Sequence, residues 1–103
     1  TAFTSFYHLP SSVLKHPKHS ELFAAYSYYH VETSGITTTA LAESALIAAR
    51  DEGQDVFNAL HLLDNHEFFE ELKFGPGDGV LSYYLYNWKC AKISPDGVGI
   101  VLL

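Results

Sequence analysis

The sequence predicts an α/β or α+β fold, a mixed sheet with helices packed on it, and three stretches carry that prediction. Leu22 to Val31 alternates like a strand, Leu41, Ala45, Leu46 and Ala49 recur at helical spacing, and Val80 to Trp88 is a second, aromatic run of strand type. These segments follow one another without an internal repeat, linker or low-complexity stretch, so no domain boundary is placed within residues 1 to 103.

Taken in order, Phe3 to Leu9 reads as a strand that Pro10-Ser11-Ser12 breaks into a loop or short helical turn holding Lys15, His16, Pro17, Lys18 and His19. In Leu22 to Val31, alternation sets Ala24, Tyr26, Tyr28 and His30 on one side and Phe23, Ala25, Ser27 and Tyr29 on the other, as suits a strand covered on both faces. Thr33 to Ile36 makes a turn, and a helix follows from about Thr38 to Glu52 with Gly53 placed to cap its end. Asp55 to Leu60 is a short β-type run. Asp64 with Glu67 reads as a capping box opening a helix that carries Phe68, Phe69 and Leu72. Val80 to Trp88 is expected to be the longest strand, and Pro95-Asp96-Gly97 turns the chain into a last one, Val98 to Leu103.

Charge and composition narrow the function classes. The net charge is −6, and because residues 1 to 50 carry three acids and three bases, all of the excess lies in the second half. Such a field repels nucleic acid and anionic membrane surfaces and attracts basic peptides, although an acidic face also serves simple solubility. One cysteine, Cys90, excludes an internal disulfide and fits a reducing, cytoplasmic setting. The longest uncharged apolar run, Gly97 to Leu103, is far too short to cross a bilayer, and no signal peptide is expected. Hydrophobic residues at 48%, with 15% aromatic, exceed what a free-standing surface of this size needs. Some apolar area is therefore expected to be exposed and to pack against a further segment.

Between the second helix and the aromatic run stands Lys73-Phe74-Gly75-Pro76-Gly77-Asp78-Gly79. Its glycines permit positive φ and close approach of main chain to a ligand, while Pro76 stiffens the turn. A phosphate loop would need Gly-Lys-Ser/Thr, and Asp78 would repel an anion, so this loop suits a cation. Asp78 also fits an ordinary Asx turn.

This loop and five further blocks resemble the N-myristoyltransferase family, whose members acylate N-terminal glycines. The blocks are Ser5-Phe6-Tyr7 with Leu9-Pro10-Ser11, Ala24 to Tyr29, Asp55 to Leu60, Tyr84 to Cys90 and Val98 to Leu103, all in family order. The resemblance implies an acetyltransferase-like mixed sheet, with this chain as the later part of the C-terminal, peptide-binding domain, about the last quarter of an enzyme. It implies myristoyl-CoA as co-substrate and no cofactor. The implied partners are the amino-terminal portion of the enzyme, which holds most of the acyl-CoA site, and Gly-start, often basic, peptides.

Carried over residue by residue, the resemblance makes the terminal carboxylate of Leu103 the catalytic base and puts Ser11, Tyr26, Asn58, Asp78, Gly79 and Leu81 in the peptide groove. A free α-carboxyl titrates near ~3.5 and an α-amine near ~7.8, a mismatch of about 6 kcal/mol that burial narrows from both sides. The apolar Ile100-Val101-Leu102-Leu103 tail suits delivery of that carboxylate to a dry site, and on its residues alone it also reads as an edge strand. Ser11 also fits a turn, and Tyr26 a core position. Leu103 stands where some members end in glutamine, which leaves a main-chain carboxylate unaffected, and His30 to Thr39 does not align.

Other chemistries fit poorly. Pro17 disrupts a shared helical face for His16 and His19, and His61 and His66 lie off the helical repeat, so no metal is expected. Cys90 has no histidine near it in sequence and there is no Gly-x-Ser-x-Gly elbow, which argues against covalent catalysis. Direct attack of a glycine amine on the thioester fits better. The alternative from another class is a peptide-binding module without catalysis.

Overall fold

The computed structural model describes residues 1–12, 18 and 20–102. Its centre is a three-stranded sheet of order β1-β4-β5. β1 (Phe3–His8) runs antiparallel to β4 (Ala24–Val31), and β4 runs parallel to β5 (Val56–Asn58), so the sheet is mixed as expected. Two short strands, β2 (Ser11–Ser12) and β3 (Glu21–Leu22), continue the β1–β4 pair as a hairpin where a loop or helical turn was expected. Lys15, His16, Pro17 and His19 lie outside the described residues.

Helix α1 (Thr38–Asp51) covers the sheet. Its small side chains Ala42, Ala45 and Ala49, with Leu41, are buried, as are Ala24 and Ala25 on β4. Alanine on both sides lets helix and sheet backbones approach closely. The Thr37 hydroxyl accepts from the Ala40 amide at 3.1 Å to start the helix, and the Glu32 carboxylate accepts from both the amide and the hydroxyl of Thr38. Gly53, at φ +82°, follows the last turn and donates to Arg50, which is the expected cap.

Alternation along β4 holds as far as Ser27 and then breaks. The register passes from Thr4↔His30 to Phe6↔Ser27, so Tyr28 and Tyr29 together oppose the single residue Ser5. This is a β-bulge. Neighbours on a regular strand point to opposite faces, yet the rings of Tyr28 and Tyr29 meet with centroids 4.4 Å apart.

α2 (His66–Phe69) is a single turn, shorter than the sequence suggested, and Leu72 lies beyond it. The expected capping box does not form. Asn65 takes the cap position, buried, with its side-chain amide donating to the Leu60 carbonyl at 2.8 Å, while the Glu67 amide bonds the Asp64 main chain. Phe68, fully buried, gathers Phe69, Phe74 and His30 around it, and this aromatic cluster anchors the start of the glycine-rich loop at Phe74.

The largest departure from expectation is Val80 to Trp88, which forms no strand. Strand sequences become strands only when a neighbour takes up their N–H and C=O groups, and no described segment pairs with this one. Val80, Tyr84 and Tyr86 stand almost wholly exposed, and Trp88 is largely exposed. Val98 to Leu102 likewise carries no ladder. The accessible surface, 8071 Å², compares with roughly 5,800 Å² for a compact monomer of this mass. The radius of gyration, 15.5 Å, compares with about 13 Å. The expected exposed apolar area is therefore present, and it is concentrated in the second half.

Candidate functional site

Of the predicted groove residues, the sheet unites two. Tyr26 on β4 is the register partner of Asn58 on β5, and on its other side it pairs with Tyr7 of β1. Tyr7 and Tyr26 stack at 5.4 Å and 14°, and Tyr28 meets Tyr7 edge-on. Burial, and then the nearby phenols of Tyr26, Tyr28 and Tyr83, push the Tyr7 phenol above its ordinary value. The result is a flat aromatic platform next to a side-chain amide that accepts or donates no hydrogen bond among the described residues. Ser11, exposed on β2 and paired with Leu22, lies on the hairpin that extends the same two strands.

Asp78, Gly79 and Leu81 are exposed and are joined to that platform by no hydrogen bond or ring contact among the described residues. Asp78 accepts no hydrogen bond there, so the Asx turn is not formed. Gly75, Gly77 and Gly79 all avoid positive φ, and a Cβ at any of them would meet open space. What these glycines supply is a bare track of accessible main chain beside an unpaired carboxylate. The left-handed residue that turns the chain into the loop is Lys73, at φ 61°.

The tail is held by side chains that sequence reasoning did not single out. The phenolic oxygen of Tyr29 accepts from the Val101 amide at 2.9 Å. The hydroxyl of Tyr83 donates to the Ile100 carbonyl at 3.0 Å and accepts from the Leu102 amide at 3.4 Å. Val101 is buried. Leu103, whose carboxylate is the expected base, lies outside the described residues. No local pattern marks Tyr29 or Tyr83 among seven tyrosines, since their partners are main-chain groups far away in sequence.

His30 packs against Phe68 and is lowered in pKa mainly by burial, opposed by the neighbouring Asp64, Asn65, Glu32 and Glu67 side chains. It borders an open cleft of about 420 Å³ that also touches Glu32, Asp64, Asp96 and Val98, and none of the predicted groove residues lines it. Among the described residues, no group of three or more His, Cys, Asp or Glu side chains could hold a metal ion, and no helix is long and apolar enough to cross a membrane.

The family profile described as "Myristoyl-CoA:protein N-myristoyltransferase, C-terminal domain" matches residues 1–101. The chain belongs to the N-myristoyltransferase family. It is 57% identical over 102 residues to glycylpeptide N-tetradecanoyltransferase 2 of Danio rerio, covering 99% of this chain and 20% of that protein. It is 52% identical over 99 residues to the glycylpeptide N-tetradecanoyltransferase of Plasmodium falciparum, covering 96% of this chain and 24% of that protein. In structure it is similar to Saccharomyces cerevisiae N-myristoyltransferase with bound myristoyl-CoA, with a TM-score of 0.67 and 36% identity over 77% of this chain and 21% of that one. This N-myristoyltransferase segment thus spans about a fifth of the length of the relatives it matches, and its mixed α/β architecture is the acetyltransferase-like one expected.

Proposed function

We propose that the chain is the later part of the peptide-binding C-terminal domain of an enzyme that moves myristoyl from myristoyl-CoA to the N-terminal glycine amine of proteins. The observation that carries this reading is the family match across residues 1–101, supported by relatives that are named glycylpeptide N-tetradecanoyltransferases. In this reading the amino-terminal portion of the enzyme supplies most of the acyl-CoA site, and it covers the exposed Val80 to Trp88 segment. Tyr26, Asn58 and Ser11 offer the peptide an aromatic face and hydrogen-bonding groups. Gly79 lets the peptide main chain lie close, Leu81 adds an apolar contact, and Asp78 attracts a lysine on the substrate.

The terminal carboxylate of Leu103 takes one proton from the glycine ammonium. The neutral amine then attacks the thioester carbon, a C–N bond forms, the C–S bond breaks, and the second amine proton leaves with CoA as its thiol. The charge balance of the chain, net −6 with the excess in the second half, favours basic peptides. Nucleic acid and membrane-spanning roles have no place in this account, and the setting is cytoplasmic.

The test is to place this chain in the Danio rerio relative in exchange for its matching C-terminal segment and to measure myristoyl transfer to a Gly-start, lysine-containing peptide. Turnover, with Asp78→Asn raising the peptide KM and leaving kcat near its original value, supports the reading. Peptide binding by the folded chimera without turnover contradicts it and favours a binding module.

A further inference from the structure

We propose that Tyr29 and Tyr83 are positioning residues that set the main chain of residues 100 to 102 in one place, and with it the direction in which the terminal carboxylate is presented. The inference rests on the reading of Leu103 as the base.

Three observations lead to it. The last described residues carry no ladder, so their N–H and C=O groups need partners of another kind, and two phenols provide them at three consecutive residues: Ile100, Val101 and Leu102. The contacts also come from two directions, since Tyr29 stands on the sheet and Tyr83 on the segment that follows the glycine-rich loop. Tyr83 is the one half-buried residue between Gly75 and Gly97, and its hydroxyl meets the tail at Ile100 and Leu102.

Tyr29 is also aimed by the bulge. Ser5 bonds both main-chain groups of Tyr29, and the two-for-one register there breaks the alternation that would otherwise place Tyr28 and Tyr29 on opposite faces. The bulge costs the sheet regular pairing, and what it achieves is the orientation of a phenol toward the tail. A carboxylate tethered on a single flexible strand samples many positions, and a displacement of about 1 Å is enough to lower a rate by up to a hundredfold.

The experiment uses the full-length chimera, with Tyr29→Phe, Tyr83→Phe and the double variant, and a form whose C-terminal carboxylate is converted to the amide. Phenylalanine keeps the ring and removes only the hydroxyl. The expected result is a kcat about tenfold lower for each single variant and about a hundredfold lower for the double, with peptide KM within about twofold and an unchanged melting temperature. An unchanged kcat in the double variant, while the amidated enzyme is inactive, overturns the positioning role and leaves the base assignment standing. A fall in kcat that tracks a rise in peptide KM or a lower melting temperature also overturns it. Full turnover by the amidated enzyme removes the base assignment itself and the inference with it.

Discussion

The hydroxyl of Ser5 sits between the two main-chain polar groups of Tyr29, accepting from its amide at 3.1 Å and donating to its carbonyl at 2.7 Å. One side chain thus does the work of a ladder pair at the place where β4 has a residue too many. Through Tyr29 that small repair reaches the far end of the chain, because the phenol on the same residue holds Val101.

Replacing Ser5 by alanine leaves a half-buried amide and carbonyl without partners, which costs roughly 1–3 kcal/mol. Hydrogen exchange at the Tyr29 amide accelerates in the variant, while the Ala25 and Tyr26 amides, outside the bulge, keep their protection. Equal acceleration along the whole of β4 would show that Ser5 supports the strand generally and not the bulge.

His30 makes the fold sensitive to mild acid. Its folded pKa is lowered from about 6.5, so between that value and the lower one the unfolded chain binds more protons than the folded chain. Its contribution is fully present above about pH 6.5 and is lost as pH falls through the folded value. Asp64, Glu32 and Glu67 face it and pull the other way without overcoming burial. Urea denaturation of the chain and of His30→Asn, compared between about pH 7.5 and pH 5, is expected to give a smaller acid-side loss for the variant. Parallel curves would contradict this.

Trp88 reports on the uncovered face. It is 72% exposed in this chain, so its fluorescence is expected to be red-shifted and readily quenched by iodide. Joined to the amino-terminal portion of the Danio rerio relative, the same tryptophan is expected to shift to the blue and lose most of its quenching. Identical emission in the two settings would mean that Val80 to Trp88 is not the covered surface.

The parts of the fold that were legible in the sequence are those whose stability is local. α1 has its Leu41, Ala45 and Ala49 stripe and its closing Gly53 in plain view, whereas its Thr37 cap was not singled out, and the sheet strands β1, β4 and β5 show their aromatic and β-branched runs. The misreadings all concern partners that sequence spacing does not carry. Asp64 and Glu67 have the spacing of a capping box, yet Asn65 takes the cap position, and its side chain bonds Leu60 and not the helix start. Val80 to Trp88 has the composition of a strand and finds no strand to pair with. The bulge at Ser5 depends on which residues meet across two strands, and this is fixed only in three dimensions. For the site, Tyr26 and Asn58 came out adjacent, whereas the roles of Tyr29 and Tyr83 rest on contacts spanning 72 and 17 residues.

The most direct test of the account replaces the carboxylate at Leu103 with a carboxamide in the full-length chimera and measures single-turnover myristoyl transfer together with peptide affinity. The account predicts a loss of at least about a hundredfold in the transfer rate, the usual scale for removal of a general base, with peptide affinity unchanged. Transfer at the original rate by the amidated enzyme would contradict it.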